Sequence, residues 1–302
     1  MPSLTAVRAA NLTLVPKYRT TALFVGGTSG IGQGIAEAFA TATNGNAHII
    51  ICGRNKTAAE NIIKSFPTAS PPSASTYEFE QCDATLMSNV RATTTSLRGR
   101  LNKLNYLVLS PGFMTLSGRD ETSEGIDKKL ALNYYARWRF IYDLIPLLEQ
   151  AKAQGEEARV LKVLGAGVNG RIDPTDLDLK KGYGLMAAAD SSTAMSDLMC
   201  EDFGAQHPNL SFIHAAPGGV RTQGLKDFHW SLRLLSYIAW PFTVSPADCG
   251  QWMLYTLLDP QLSEGAFFRN NHAEDAGKNK YSTPELRKLV WEHTLKRTSG
   301  SS

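Results

Sequence analysis

A turn with three glycines, Gly26, Gly30 and Gly32, restricts the fold of this chain more than any other stretch. The apolar residues 22–25 before the turn are short enough for a buried strand, and apolar residues recur at helical spacing over 31–39. Glycines let a backbone approach a pyrophosphate closely, and a helix N-terminus offers it unpaired N–H groups. We therefore predict a phosphate-binding turn, with a turn that only packs strand on helix as the alternative.

Strands and helices alternate along the rest of the chain. Short apolar or alternating runs predict strands, and longer runs predict the helices between them. This alternation is typical of a parallel sheet with helices on both faces, so we expect one α/β domain with a doubly wound sheet of about seven strands. The predicted strands are 21–25, 48–55, 77–83, 105–110, 159–164, 210–215 and 265–268, and the predicted helices after the glycine turn are 56–66, 88–101, 124–150, 193–206 and 247–258.

Length and charge limit the classes of protein to consider. The 302 residues suit one large domain, and the hydrophobic content of 43% is ordinary for a globular protein. The net charge of +3 is too small to favour nucleic-acid binding. No apolar run is long enough for a signal peptide or a transmembrane span.

The cysteines and histidines indicate neither disulfides nor a metal. Cys52, Cys82, Cys200 and Cys249 have no paired spacing, and the histidines lack metal-ligand spacing. We therefore expect free thiols, a reducing compartment and a cytoplasmic location. We expect residues 1–19 to form an N-terminal arm or short helix, 20–298 the domain, and 299–302 a tail.

Residues 26–32 resemble the cofactor motif T-G-x-x-x-G-I-G of the short-chain dehydrogenase/reductase family, with Val25 in place of the leading threonine. The resemblance extends over residues 20–268, most of the chain. It implies a single-domain Rossmann fold that binds a nicotinamide cofactor. Within the turn, it assigns cofactor contacts to Gly26, Thr28, Ser29, Gly30, Ile31 and Gly32.

The end of the second strand indicates which nicotinamide cofactor binds. An acidic residue there holds the ribose 2′-hydroxyl of NAD, whereas an arginine accommodates the 2′-phosphate of NADP. This chain has Arg54 and Asn55 there and no carboxylate before Glu60, so we predict NADP(H). The alternative is a solvated surface arginine. The resemblance adds Asp83 and Ala84 at the adenine, Ser110 and Gly112 after strand four, and Pro217, Gly218, Val220 and Thr222 at the nicotinamide.

Most of the family's catalytic residues are missing. Typical members use Asn, Ser, Tyr and Lys, and the Tyr moves a proton at the substrate oxygen. Asn133 matches the asparagine, but Gly165 stands at the serine position. Residues 185–191 lack the family's Tyr-x-x-x-Lys, and no lysine occurs between Lys181 and Lys226. We therefore expect that a lysine-tuned tyrosine cannot be assembled here.

Three residues remain as catalytic candidates: Asn133, Tyr183 and Asp190. Tyr183 is the one phenol near the expected position, with a packed loop aromatic as the alternative role. Asn133 has the alternative of bending its helix. Asp190 lies where we expect the catalytic helix to begin, so it either caps that helix or acts as an acid or base. If Asp190 handles protons, Asp190→Asn should cost more activity than Tyr183→Phe.

The apolar residues 230–242 lie where the family has its substrate lid, which we expect at 221–246. This segment should cover an apolar substrate, a second subunit or a bilayer surface, with a plain core helix as the alternative. A homodimer is therefore among the expected partners, beside a small apolar substrate.

Three functions fit these residues. The first is an NADPH-dependent reductase of a small apolar molecule, of the kind found in secondary metabolism. Reduction of a ketone creates an alkoxide that needs a proton donor, so a site without Tyr and Lys suits an iminium or an activated double bond better. The second is a non-redox isomerase or cyclase that retains NADP, and the third is a catalytically silent NADP(H) sensor.

Overall fold

A seven-stranded parallel sheet forms the centre of the protein. The structure is a computed structural model that describes residues 2–71, 74–113, 115–221 and 243–300. The strands are β1 (Thr20–Val25), β2 (Ala47–Gly53), β3 (Thr76–Gln81), β4 (Tyr106–Leu109), β5 (Arg159–Val163), β6 (Ser211–Ala215) and β7 (Gly265–Arg269). Their order is β3-β2-β1-β4-β5-β6-β7, and every neighbouring pair is parallel. The predicted α/β fold with a doubly wound sheet is confirmed.

Helices connect the strands, and one connection contains an irregular turn. The helices are α1 (Leu4–Leu14), α2 (Gly30–Ala42), α3 (Lys56–Lys64), α4 (Met87–Arg100), α5 (Lys128–Leu130), α6 (Ala136–Ala153), α7 (Leu185–Gln206), α8 (Pro246–Leu258) and α9 (Pro284–Thr298). The predicted single helix over 124–150 is instead divided, because the π-helical turn Ala131–Tyr135 joins α5 to α6. The helix then continues through Pro146 to Ala153.

Alternate residues of each strand enter two separate cores. In β1, Leu23 and Val25 pack on the side of α4, α6 and α7, whereas Ala22 and Phe24 pack on the side of α2 and α8. Side chains of a strand alternate between the two faces of a sheet. Burial on both faces explains why the central strands are almost continuously apolar in sequence.

Close glycine packing fixes α2, the helix after the glycine turn, against α8. A Cβ on Gly34 would lie 2.2 Å from the carbonyl oxygen of Pro246, and a Cβ on Gly250 would lie 2.3 Å from the carbonyl carbon of Gly34. Helix α1 also packs on α8, where Arg8 and Asp248 form a 2.7 Å ion pair. The expected N-terminal arm therefore includes a helix that packs on the domain.

Helix α9, for which the sequence patterns made no prediction, packs against α6 and α7. The ring of Trp291 meets the rings of Trp138 and Phe203 edge-on, with centroids 5.0 and 4.9 Å apart. Large aromatic side chains bury much apolar area in such contacts. Helix α9 thereby completes the core on this side of the sheet.

Helix α7 begins at Leu185, with Gly184 as its N-cap, and not at the predicted residue 193. Asp190 therefore lies inside the helix, and the alternative that it caps the helix is wrong. The hydroxyl of Ser192 likewise donates to the carbonyl of Ala189 within the helix. The small residues at the start of α7 carry no strong apolar periodicity, so the pattern missed its first turns.

Asp178, in the segment after β5, joins the π-helical turn to α9. Its Oδ1 accepts a 2.8 Å hydrogen bond from the hydroxyl of Tyr135, and Arg297 Nε lies 3.1 Å from its Oδ2. Burial alone would raise the pKa of Asp178, but hydrogen bonds from His293 and Tyr135 and the charge of Arg297 outweigh it. Together they lower the pKa to about 2, so the carboxylate stabilises the fold.

We expect Asp178→Asn to lower the free energy of unfolding by about 1–2 kcal/mol at pH 7, after allowance for partial exposure. The folded pKa lies below the ordinary value of 3.8, so this contribution is complete above pH ~4 and is lost as the pH falls towards about 2. Urea unfolding of both proteins across this pH range measures it. Asp120→Asn, which breaks the more exposed ion pair to Lys128, is the control and should cost less than about 0.5 kcal/mol. A deficit for Asp178→Asn that persists undiminished at pH 2 would contradict the assignment.

Candidate active site

The glycine turn after β1 adopts a conformation that needs glycine. Gly26 has φ +80° and Gly30 has φ +59°, both in the left-handed region. A Cβ on Gly26 would also lie 2.7 Å from the backbone nitrogen of Pro111, which follows β4. Ser29 is the N-cap of α2 and makes no side-chain capping bond, which leaves the first N–H groups of the helix for a ligand.

Gly32 packs closely on protein atoms, and its predicted cofactor contact stays a prediction. A Cβ there would lie 2.3 Å from the carbonyl oxygen of Gly26 and 2.8 Å from Ser110 Oγ. Gly32 is buried in the first turn of α2 and is not among the described residues that line the cleft. The lack of a side chain on Gly32 therefore allows the first turn of α2 to pack on the glycine turn at Gly26.

A cleft of about 830 Å³ opens along the carboxyl ends of the strands. It lies over the point where strand order reverses between β1 and β4, the usual ligand crevice of such sheets. The described residues that line it are Val25, Gly26, Thr28, Ser29, Gly30, Ile31, Gly53, Arg54, Cys82, Asp83, Ala84, Ser110, Pro111, Gly112, Phe113, Leu132, Asn133, Arg137, Val163, Leu164, Pro217, Gly218, Gly219, Val220 and Thr243. Thirteen of the sixteen predicted cofactor residues are therefore on its wall.

Arg54 stands at the end of the cleft formed by β2 and β3. The residue is exposed, and no ion pair to it occurs in the described part of the chain. A Cβ on the preceding Gly53 would lie 2.9 Å from Thr28 Cγ2, so the end of β2 lies directly beside the glycine turn. An exposed guanidinium beside a phosphate-binding turn can take a further phosphate.

Asn55 and Asp83 make local contacts at the same end. The side chain of Asn55 accepts a hydrogen bond from the Ala58 N–H as the N-cap of α3, and the structure does not bring it to the cleft wall. Asp83 lines the cleft, and its Oδ1 accepts from the backbone N–H and the hydroxyl of Thr85. These bonds hold the Asp83 carboxylate in a defined position.

The segment after β6 forms the opposite wall. Gly218 has φ +69°, and a Cβ on it would lie 3.1 Å from the side chain of Asn271. Val220 forms a parallel β-bridge with Val244 and lines the cleft. Thr222 lies outside the described residues, as does the apolar segment 230–242.

Asn133 is the one of the three catalytic candidates that lines the cleft among the described residues. It lies within the π-helical turn between α5 and α6, and its Oδ1 is 3.4 Å from the position of a Cβ on Gly112. An extra residue in a helical turn is frequent at functional sites. Asn133 therefore belongs to an irregular helical turn and also borders the cleft, and its catalytic role stays a prediction.

Tyr183 has a lysine partner after all. The ammonium of Lys129, on α5, donates a 2.9 Å hydrogen bond to the Tyr183 hydroxyl and further bonds to the carbonyls of Ser117 and Gly118. The expectation that no lysine could reach this phenol is wrong, because the lysine comes from 54 residues earlier in the chain. The pair does not line the described cleft wall.

Asp190 is half-buried in the second turn of α7. Its carbonyl oxygen would lie 2.3 Å from a Cβ on Gly170, so this part of α7 packs tightly on the segment after β5. Its carboxylate is not on the cleft wall formed by the described residues. The structure therefore brings Asn133 to the cleft and leaves Tyr183 and Asp190 beside it.

Arg137, on α6, is a cleft residue that the sequence patterns did not single out. It is 2% exposed, and its guanidinium donates to three backbone carbonyls, those of Leu132, Val163 and Pro111. It lines the cleft where β4 and β5 end. Its position four residues after Asn133, on the same helix face, was the available signal.

A cluster of buried polar residues, separate from the cleft, lies between α7 and the sheet. His214 Nδ1 and Asp197 Oδ1 are 2.6 Å apart, and the Lys162 ammonium donates to the Ser196 carbonyl at 2.6 Å. Burial raises the pKa of Asp197 to about 7 and lowers that of Lys162 to about 8. None of the four residues lines the cleft, so they anchor α7 against β5 and β6.

No helix among the described residues is long and apolar enough to cross a membrane. Over the same residues, no cluster of three or more His, Cys, Asp or Glu side chains could hold a metal ion. The fold and the cleft instead define a protein of the doubly wound α/β class, with its ligand crevice at the switch point of the sheet.

Comparison with known proteins gives the family. The short chain dehydrogenase family pattern matches residues 20–167. Oxidoreductase AN1596 of Emericella nidulans is 38% identical over 85% of this chain and 77% of its own length. Oxidoreductase andH of Emericella variicolor is 32% identical over 88% of this chain and 80% of its own length. This chain belongs to the short-chain dehydrogenase/reductase family.

A solved structure shows the same fold. The NADPH-bound carbonyl reductase from chicken fatty liver superposes with a TM-score of 0.63 over 86% of this chain and 99% of that protein, at 16% identity. The likeness supports the fold, and the residues of the cleft carry the functional argument.

We expect the turn glycines to differ in the effect of substitution. Gly30→Val places a branched side chain at φ +59° on the cleft wall, and should abolish binding of a nicotinamide cofactor at a stability cost of about 1–2 kcal/mol. Gly32→Val should lower the melting temperature more, because its Cβ meets the Gly26 carbonyl. NADPH fluorescence titration and thermal unfolding measure the two effects.

Gly99→Val is the matched control, since a Cβ on Gly99 meets nothing within 4 Å. It should retain both binding and stability. Equal melting temperatures for the Gly30 and Gly32 variants, or tight NADPH binding by the Gly30 variant, would contradict this account of the turn.

Proposed function

We propose that this protein is an NADPH-dependent reductase of a small apolar substrate with an electron-poor double bond, either an iminium or an activated alkene. The observation that carries the proposal is the combination of a glycine turn open at the α2 N-terminus with an exposed Arg54 at the adjacent strand end. Such a pair of sites matches the pyrophosphate and the 2′-phosphate of NADP(H).

The residues present fit a dinucleotide. Gly26 and Gly30 bring backbone to the cleft wall without side chains, and the uncapped start of α2 supplies N–H donors there. Arg54 would take the 2′-phosphate and Asp83 the adenine amino group. Related structures hold NADPH in the chicken carbonyl reductase and in L-sorbose reductase from Gluconobacter frateurii, and NADH in a Brucella melitensis reductase.

An apolar substrate is supported by the rim of the cleft. Large apolar side chains are exposed in the segments that follow β4, β5 and β6 and at the start of α7: Phe113, Leu116, Val168, Leu185, Met186 and Val244. The carboxyl ends of parallel strands meet at one edge of a sheet, so the segments that follow these strands start at that edge, and Phe113 of the six lines the cleft. Exposed apolar residues grouped beside a cleft favour binding of an apolar molecule.

The choice of an electron-poor double bond rests on the groups that line the nicotinamide end. When bound, the dihydronicotinamide supplies a hydride. The described cleft residues that follow β4, β5 and β6, on the β4 side of β1, include no carboxylic acid, tyrosine or lysine. Asn133 can orient a substrate through its amide, but it is not a strong acid. A substrate whose reduction needs no adjacent strong acid suits this wall best.

We also assign the reaction to secondary metabolism and the protein to the cytoplasm. The apolar rim supports the first, and four buried cysteines that remain free support the second. A homodimer stays a proposal, and size-exclusion chromatography with light scattering tests it.

The lack of an acidic side chain among the described cleft residues at the nicotinamide end also favours a second candidate, a non-redox isomerase or cyclase that retains NADP. One anaerobic incubation of protein, NADPH and a panel of imines, enones and polyenes separates the functions. Consumption of NADPH with product supports the reductase, and product without consumption supports the isomerase. Cofactor binding with neither outcome supports a sensor and contradicts the proposal.

We expect Arg54→Ala to weaken NADP(H) binding by roughly 1.5–3 kcal/mol, the scale of a charge-assisted hydrogen bond, and to leave NAD(H) binding almost unchanged. Lys56→Ala is the control, because it removes an exposed cation two residues away that is not on the cleft wall. Calorimetric titration with both cofactors measures each variant. Equal losses for NADP(H) and NAD(H) would remove Arg54 from the phosphate site.

Substitution of the two candidates beside the cleft tests how protons are handled. Tyr183→Phe should reduce turnover by less than about tenfold, or ~1.4 kcal/mol of barrier, because its hydroxyl is held off the cleft wall by Lys129. Asp190→Asn should also cost less than about tenfold. A loss of ~10²–10⁴-fold in either variant, with kcat measured under saturating NADPH, would instead assign that residue as the general acid or base.

A further inference from the structure

Arg137 is a buried cation that the structure holds with neutral groups. Its Nε donates to the Leu132 carbonyl at 3.0 Å, Nη1 to the Val163 carbonyl at 2.7 Å and Nη2 to the Pro111 carbonyl at 2.7 Å. The side chain forms no ion pair with any described carboxylate, in contrast to Arg139 two residues later, which pairs with Asp143 at 2.5 Å. Among the residues that the structure describes, no carboxylate therefore neutralises the charge of Arg137.

This charge is present at neutral pH. Burial lowers the pKa of Arg137 to about 9, which still lies above the pH of the cell. A buried charge without an acidic partner is strongly unfavourable, and perturbed groups of this kind concentrate at functional sites. Lys162, the other buried cation nearby, has Asp197 beside it and does not line the cleft.

The Arg137 guanidinium borders the ligand cleft and has N–H groups that the three carbonyls do not use. It has five N–H groups, and three are used by the carbonyls, which leaves one each on Nη1 and Nη2. Arg137 lies on the cleft wall with Asn133 and Leu164, at the ends of β4 and β5. Arg54 is the other cation among the described residues of the cleft wall. It follows β2 and lies on the opposite side of β1 from Arg137.

We propose that Arg137 makes this end of the cleft a subsite for a substrate oxygen that carries partial or full negative charge, and that it excludes cationic substrates. The inference rests on the proposed reductase function and narrows its substrate class. A fixed positive charge in a site of low dielectric stabilises a developing oxyanion and repels an iminium. The activated alkene is therefore the favoured substrate, with its double bond conjugated to a carbonyl.

The reaction balances for such a substrate without a strong acid at the cleft wall. Hydride supplied by bound NADPH would form the new C–H bond at the β-carbon. The π pair of the C=C bond would then form a double bond between the α-carbon and the carbonyl carbon, and the π pair of the C=O bond would move to oxygen, which gives an enolate. Water then protonates the α-carbon, which gives the saturated carbonyl compound, NADP⁺ and hydroxide. Arg137 acts in this scheme by stabilising the enolate oxygen, and no side chain needs to donate the proton.

Two probes of equal size and opposite charge test the subsite by binding alone. We would titrate benzoate and benzylammonium into the complex with NADPH at pH 7.5 by calorimetry, because the dihydronicotinamide ring carries no charge of its own. Benzoate should bind at least about tenfold more tightly than benzylammonium. Equal binding, tighter binding of benzylammonium, or no binding of benzoate would overturn the proposal.

Variants locate the source of the preference. Arg137→Gln should bring the ratio of the two dissociation constants close to one, whereas Arg137→Lys, which keeps the charge, should preserve the preference. Arg139→Gln removes a paired arginine of the same helix and should leave the ratio unchanged. A ratio that survives in Arg137→Gln, or that falls in Arg139→Gln, would overturn the assignment to Arg137.

The failure of this inference is distinguishable from failure of the proposed function. Absence of NADPH binding to the unsubstituted protein would contradict the reductase itself. Tight NADPH binding without a benzoate preference would contradict the subsite and leave the iminium as the substrate class. If Arg137→Gln does not fold, the charge preference of the unsubstituted protein and its retention in Arg137→Lys still decide the question.

Discussion

The close approach of two loops at the switch point of the sheet is the constraint on which the rest of the site depends. The turn after β1 meets the chain after β4 so tightly that a Cβ on Gly26 would lie 2.7 Å from Pro111 N. Gly32 closes the same turn on α2, where a Cβ would lie 2.3 Å from the Gly26 carbonyl. This packing aims the α2 N-terminus into the cleft, and it sets the position of Gly112 against Asn133.

Two arginines that pair with no carboxylate in the described part of the chain give the cleft its electrostatic character. Arg54 is exposed, so water stabilises it when no ligand is bound, and little stability is lost by leaving it unpaired. Arg137 is buried, and three carbonyl dipoles replace its water only in part. The same three bonds tie the ends of β4 and β5 to the π-helical turn. Arg137 therefore holds these segments of the cleft together and also gives this part of the cleft a positive charge.

Local sequence patterns predicted much of the fold and part of the candidate site. The apolar runs and the glycine turn predicted all seven strands and the turn at the cleft, because these signals lie within a few residues of one another. The π-helical turn, the start of α7 and helix α9 were missed, since packing rather than periodicity determines them. Arg137 carries no motif beyond its spacing from Asn133, and its contacts with the carbonyls of Pro111 and Val163 appear only in the folded structure.

The pairing of Lys129 with Tyr183 shows why a missing motif does not settle the chemistry. A tyrosine and a lysine one helical turn apart meet by local geometry, whereas this pair meets because α5 packs near the start of α7. The Lys129 ammonium also holds the carbonyls of Ser117 and Gly118, in the segment that follows Phe113 on the cleft wall. Its bonds therefore tie the Tyr183 phenol to the loop that continues from Phe113. The contact between the phenol and the ammonium is therefore set by tertiary packing, and the absence of a local Tyr-x-x-x-Lys motif does not exclude it.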